Sequence, residues 1–413
     1  MSASLFPVTP PPPRLSFLIV ALLGLISAIG PLSTDMYLPA FPWIERDLGA
    51  GEGSAQFTLV AWFLGLAVGQ FSQGPISDRW GRRAPLVAGL AVFTIASVGC
   101  ATVTNYHLFC VCRFIAACGG SASAVIPRAV VRDVATGREG ARMMAQLTLV
   151  FGVMPVLAPS LGSAVLVFGN WRWIFWFAVA YGIAGMAVTT FVLPDTLPPD
   201  LRRTLSPRAI LWRYISIIQE PVFITNGLIA SFSTFVMFAY IGSAPVVFEK
   251  LLGFSPRAFG VFFGINAAAF ILGTQINARF VRQLGPALLL ERALIWALCA
   301  ASLFVAFAFS GLAGQAHPLL ICAFITSITG ALGFIGTNAT VLSFTHHGSQ
   351  AGSASALLGT MQFSIGALSN VLVGLMPQNS ALPTAVGMGA GVGAMALANL
   401  LRRRAPSLPA DLQ

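Results

Sequence analysis

The sequence predicts an all-α integral membrane protein of twelve transmembrane helices arranged as two six-helix halves. Three observations carry that prediction. Only 9% of the 413 residues are charged and 56% are hydrophobic, with a mean hydropathy of +0.83, whereas a soluble domain carries about 25% charged residues. Apolar runs of about 20 residues, the length that crosses a bilayer as a helix, recur along the whole chain. Successive loops alternate between arginine-rich and arginine-poor, the pattern that orients a polytopic protein.

Turn and charge signals place the spans at 15–40, 55–75, 84–102, 108–130, 143–168, 173–193, 222–247, 258–277, 286–310, 318–343, 352–376 and 382–401. The longest polar interval, 194–221, separates an N-terminal half (1–193) from a C-terminal half (222–413) and reads as a cytoplasmic linker. With both termini and every second loop in the cytoplasm, eighteen basic residues fall on that side and four on the other. An odd number of spans would scramble this bias, so both termini are expected inside. A weak repeat supports two halves. Gly74 to Asp78 closes the second span and Gly273 to Asn277 the eighth, each with arginines and a further glycine after it.

Several function classes are excluded. Lys250 is the sole lysine and no glycine-rich phosphate loop surrounds it, so this chain is not itself an ATP-driven pump. No GxSxG or other catalytic constellation argues for an enzyme. The six cysteines form no CxxC pair and read as buried thiols. His346 and His347 lie in a short loop without a nearby carboxylate or thiol in sequence, so no metal site and no cofactor are expected. No basic run has interleaved aromatics in a soluble segment, so the excess of ten positive charges points to anchoring at a membrane surface and not to nucleic acid.

Asp35 reads as the one acidic residue inside an apolar span. An intramembrane charge is costly and marks an ion or substrate path by default. The bland alternative is a capping acid near the outer interface. Arg113 lies in the apolar part of the fourth span, followed by Gly119 and Gly120. It needs an acceptor, a polar cavity or a snorkelling route to the interface. Pro155, Pro159 and Gly162 mark the fifth span as a bent, closely packed helix. Polar or aromatic side chains inside spans, namely Tyr37, Gln56, Tyr240, Asn266, Asn338, Gln362 and Asn370, are candidates for a substrate cavity, with interhelical glue as their bland reading. In the loop GPISDRWGRR, Gly74 permits close helix approach and Asp78 caps a helix or pairs with a cation. Arg79, Arg82 and Arg83 sit at an anionic surface.

In that loop the chain resembles the major facilitator superfamily: Gly74, Asp78, Arg79, Gly81, Arg82 and Arg83 match its signature after the second helix. The resemblance implies the major facilitator fold and a loop that latches the two halves during conformational exchange. Asn277 departs from a second acidic position, which implies a weaker latch in the second half. Arg113 and the Pro155–Gly162 stretch resemble the fourth- and fifth-helix motifs of drug:proton antiporters, although Ala158 and Ser163 stand where glycines are common.

A narrower resemblance, to the Bcr/CflA multidrug efflux transporters of bicyclomycin and chloramphenicol type, rests on STDMYLPAFP (Ser33–Pro42), Gln70, Trp171 to Phe175 and Thr196 to Pro199. It implies a monomeric multi-pass protein of the bacterial inner membrane that exchanges protons for a small-molecule drug. Asp35 would carry the proton, and Arg113 would stabilise its ionised form or position a substrate. Two alternatives stay open: an exporter of a metabolite such as an amino acid or sugar, with drug efflux incidental, and a non-transporting receptor or scaffold.

Overall fold

The structure is a computed structural model and describes residues 17–404 except 52, 136, 203–205, 311–316 and 348–349. Among the described residues there are helices and no strands. The first span is built from α1 (Phe17–Ser27), α2 (Ile29–Asp35) and α3 (Phe41–Asp47), with a 3-10 turn at Leu38–Ala40 between the last two. Then follow α4 (Ser54–Trp80), α5 (Arg83–Thr102), α6 (Tyr106–Val134), α7 (Gly137–Phe168) and α8 (Arg172–Phe191). After the linker helix α9 (Pro207–Ile218) come α10 (Pro221–Pro245), α11 (Pro256–Leu284), α12 (Pro286–Phe309), α13 (Pro318–Ser343), α14 (Ala351–Gly374) and α15 (Leu382–Arg404). Eleven of these units are long and apolar enough to cross a membrane. The twelfth is α7, with 32 residues and the apolar stretch Leu157–Val167.

Within the first half, α4 and α5 close on α6 because small residues let backbones meet. A side chain at Gly69 would strike the Cys118 carbonyl and Ser121, and one at Gly89 would strike Gly119. Gly74 does not serve this purpose: its only neighbour is Ala356 at 4.0 Å, an ordinary contact. The halves meet mainly along α4 against α14 and α7 against α11. Phe63 stacks on Phe238 at 3.7 Å across this seam, and Gln56 donates to Gln378 at 3.3 Å at its outer end.

Further expectations need correction. Of the six cysteines only Cys100 and Cys322 are buried, and Cys299 is exposed at the helix surface. The first span runs on to Asp47 instead of ending at residue 40, so Asp35 lies about 18 Å of helix rise from its end. Prolines 31, 39 and 42 break it into short helices without ending it. Asp35 is also not the one acidic residue inside a span: Glu45 and Asp47 lie near the end of the first, Glu249 lies near the end of Pro221–Leu251 with its Oε1 buried and unpartnered, and Glu291 lies on the second turn of α12, where Arg402 and Arg403 hold it at 2.6 Å each. The histidine pair does have a carboxylate. Glu220 arrives from the start of α10 and faces His346 at 3.2 Å and His347 at 3.6 Å. No sequence spacing across 126 residues reveals that meeting.

Candidate functional site

Asp35 ends α2 and is 3% exposed. Its Oδ1 is buried without a hydrogen-bond partner, and no cation among the described residues forms an ion pair with it. A desolvated carboxylate in that setting costs several kcal/mol or more, so the neutral acid is the form the surroundings tolerate. Met36, the next residue, lies against Gly162 of α7 so closely that any side chain there would overlap the Met36 carbonyl oxygen. From the other half α10 packs against the 3-10 turn that follows α2, and the Tyr240 hydroxyl of α10 is buried and likewise unpartnered. The acid thus sits where α2, α7 and α10 converge.

Arg113 is 2% exposed and does not pair with Asp35. Its Nη2 donates to the Ser33 carbonyl at 3.0 Å, two residues from the acid. The guanidinium lies over the rings of Tyr37 (4.2 Å), Trp62 (4.4 Å) and Phe175 (5.7 Å). Cation–π contacts contribute about 0.5–2 kcal/mol each when desolvated, which offsets part of the cost of burying the charge. Tyr37 is fixed by its own bond to Thr58 at 3.0 Å. A narrow cavity of about 20 Å³ beside Arg113, lined also by Ser97 and Tyr181, has room for one water-sized molecule. Snorkelling is thereby replaced by an aromatic cage.

The remaining cavity candidates separate into two groups. Asn266 bonds Thr326 at 3.2 Å, and Asn338 exchanges two bonds with Asn277 at 2.7 and 3.2 Å, so these tie α11 to α13 inside the second half. The Asn277 pairing explains what that residue does in place of an acidic latch. Gln56 and Asn370 lie nearer the seam. Asn370 Oδ1 is buried and unpartnered beside Gly242, and Gln362 is half-buried on α14. Pro159 is buried in α7, while the side chain of Pro155 lies outside the described residues.

The loop between α4 and α5 centres on Arg82, which is buried. It donates to Asp133 through Nε at 2.7 Å and Nη2 at 3.2 Å, to Asp78 at 2.6 Å and to Ser77 at 2.9 Å. Burial pulls the Arg82 pKa down, but Asp133 and then Asp78 reverse this and raise it above its ordinary value. The Arg82 backbone N–H donates to Asp195 at 2.8 Å, and Asp195 also pairs with Arg202 at 3.0 Å. Thr196 donates to Asp133 at 3.1 Å. Gly81 has φ +84°, and a side chain there would strike Asp195. The network therefore joins α4, α5, α6 and the segment after α8. The sequence motif marks Asp78 and Arg82, while Asp133 and Asp195 lie outside it. The available signal is a carboxylate at the arginine-rich end of α4, α6 and α8.

With the fold and these sites in view, comparisons with known proteins are decisive. The sequence pattern of the Major Facilitator Superfamily matches residues 23–370. The chain belongs to the major facilitator superfamily. It is 34% identical over 391 residues to an uncharacterized MFS-type transporter, YdgK, of Bacillus subtilis, covering 93% of this chain and 95% of that one. It is 28% identical over 384 residues to the bicyclomycin resistance protein homolog of Haemophilus influenzae, covering 91% and 94%. Among solved structures, the D-xylose-proton symporter superposes with a TM-score of 0.74 at 17% identity over 92% of this chain and 96% of that one, a likeness of fold. The superfamily is one of transporters, and the relatives agree with the Bcr/CflA resemblance read from the sequence. This major facilitator protein is a multi-pass membrane protein whose partners are small-molecule substrates and the bilayer.

Proposed function

We propose that this superfamily member is a proton-coupled exporter of drugs or drug-like small molecules, with Asp35 as the proton carrier. One observation carries the reading: a buried carboxyl at the meeting of α2, α7 and α10 has an unpartnered oxygen and no compensating cation. Such a group holds a proton while dry and releases it when a cavity admits water or a cationic substrate replaces the proton. Arg113 acts through the backbone, since it binds the carbonyl of Ser33 and so positions the end of α2. Tyr37 positions Arg113, and Tyr240 forms the opposite wall. Relatives named for bicyclomycin and multidrug resistance support the substrate class. The Arg82 network braces the ends of α4 and α6 and the segment after α8 within the first half, with no bond across the seam among the described residues, and both termini face the cytoplasm. The protein works as a monomer.

The test separates binding from coupling. Proteoliposomes with wild type or Asp35→Asn are loaded with chloramphenicol or ethidium and assayed twice. Wild type accumulates substrate against a gradient when a pH difference is imposed and also exchanges labelled for unlabelled substrate. Asp35→Asn keeps the exchange and loses pH-driven accumulation. Accumulation by the variant equal to wild type removes Asp35 from the mechanism.

A further inference from the structure

We infer that the groove between α4 and α5, floored by α6, binds one chain of an anionic phospholipid whose headgroup is held by Arg79 and Arg83. The groove has a volume of about 440 Å³ and lies wholly within the first half, away from the seam that carries Asp35. It exists because α4 and α5 each close on α6 through glycines and diverge from one another above it, leaving Cys118 and Gly119 as the floor. Its walls are apolar or small apart from Gln73, whose Oε1 is buried and unpartnered: Val68 and Ile76 on α4, Ala88 and Val92 on α5. The Ser72 hydroxyl is satisfied by the Gly69 carbonyl at 3.0 Å and offers the groove little polarity. Val68 is 54% exposed and Val92 41%, so the groove opens sideways toward lipid.

The charge at its mouth sets the headgroup. Trp80 ends α4 at the groove's rim, 56% exposed, with the Arg79 guanidinium over its ring at 5.7 Å. Tryptophan with adjacent arginine is the pairing that sits at a membrane interface. The local carboxylates are already engaged, Asp78 and Asp133 by Arg82 and Asp195 by Arg202. Among the described residues neither Arg79 nor Arg83 has an ion-pair partner. Arg79 and Arg83 directly precede Trp80 and Ala84, which line the groove, and two guanidiniums without an ion-pair partner next to such lining are complementary to a phosphodiester with a net negative charge, as basic pockets between helices bind such headgroups. A zwitterionic lipid carries an ammonium that these arginines repel. Seated there, the lipid bridges α4 and α5 next to the Arg82 network and stabilises the loop in the geometry seen here.

The test uses full-length protein in proteoliposomes containing phosphatidylglycerol or phosphatidylcholine with a photoactivatable group in one acyl chain, followed by peptide mapping. Phosphatidylglycerol labels residues 68–92 at least 5-fold more than phosphatidylcholine, and unlabelled phosphatidylglycerol competes. Arg79→Gln with Arg83→Gln removes that preference while phosphatidylcholine labelling stays at its wild-type level. Ala88→Phe, which fills the groove and keeps both arginines, lowers labelling of 68–92 several-fold in the same assay. Equal labelling by the two lipids in the wild-type protein, or labelling spread over other helices, overturns the assignment without reference to either variant. Neither result depends on transport, so this inference and the proton-carrier reading fail separately.

Discussion

Replacing the two acidic partners of Arg82 one at a time should have unequal effects. The Asp133 carboxylate is 16% exposed and takes two bonds from Arg82 and one from Thr196, whereas Asp78 is 52% exposed and takes one. Removing one partner of a buried pair costs about 3–5 kcal/mol, and the neighbouring half-exposed pair contributes about 0–1 kcal/mol. Taking ~3 kcal/mol for Asp133 and under ~1 for Asp78, with tenfold per 1.4 kcal/mol, loop opening should rise about 100-fold in Asp133→Asn and less than about 5-fold in Asp78→Asn. Hydrogen exchange of the backbone amides of residues 81–86 reads this opening directly, because the Arg82 N–H is itself held by Asp195. Arg82→Lys should resemble Asp133→Asn, since an ammonium cannot reproduce the fork that reaches Asp133, Asp78 and Ser77 together. Equal protection in the two aspartate variants, or near wild-type protection in Arg82→Lys, would refute this reasoning.

Further outcomes follow from the same geometry. Gly74→Ala should be nearly neutral in thermal stability. Gly162→Ala should lower folded yield sharply, because its side chain overlaps Met36, and Gly81→Ala should be destabilised by both its φ of +84° and Asp195. Arg113→Lys should retain charge but lose the Ser33 bond and most ring contact, and membrane insertion with reduced thermal stability is the expected pattern. Glu220 is partly buried, which pushes its carboxyl up, but the Phe223 N–H, His346 and the Val222 N–H hold it below its ordinary 4.5. A lowered folded value stabilises above the unfolded one and is lost as pH falls through it. Glu220→Gln should therefore cost about 1 kcal/mol, the worth of a helix cap, near neutral pH, and little at a pH below the lowered folded value, where both forms are neutral. Thermal melts at the two pH values check this.

The fold was legible in the sequence because its signals are local and strong. Each apolar run after the first is a single helix, and the arginine bias required an even number of spans. What stayed hidden depends on contacts between distant segments. The length of the first span was misjudged because prolines 39 and 42 read as an end, while in the structure they sit at the first turns of short helices, where a missing N–H costs nothing. Asp35 and Arg113 stand out because charge inside an apolar run is visible in the sequence, and Arg82 because it lies in the loop motif after the second span. Asp195 did not, since its role comes from a backbone N–H 113 residues earlier. Asn266 and Asn338 show the opposite failure. They were visible as polar residues in spans, but only geometry reveals that their partners are Thr326 and Asn277 within one half.

The most direct test is proton release by the purified protein. Detergent-solubilised wild type in weakly buffered solution receives chloramphenicol or ethidium, and the pH change is recorded beside that of Asp35→Asn. Release of about one proton per protein on ligand addition, absent in Asp35→Asn although that variant still binds ligand, is the predicted result. Equal proton release by the variant would contradict Asp35 as the carrier, and ligand binding by wild type without any release would contradict proton coupling itself.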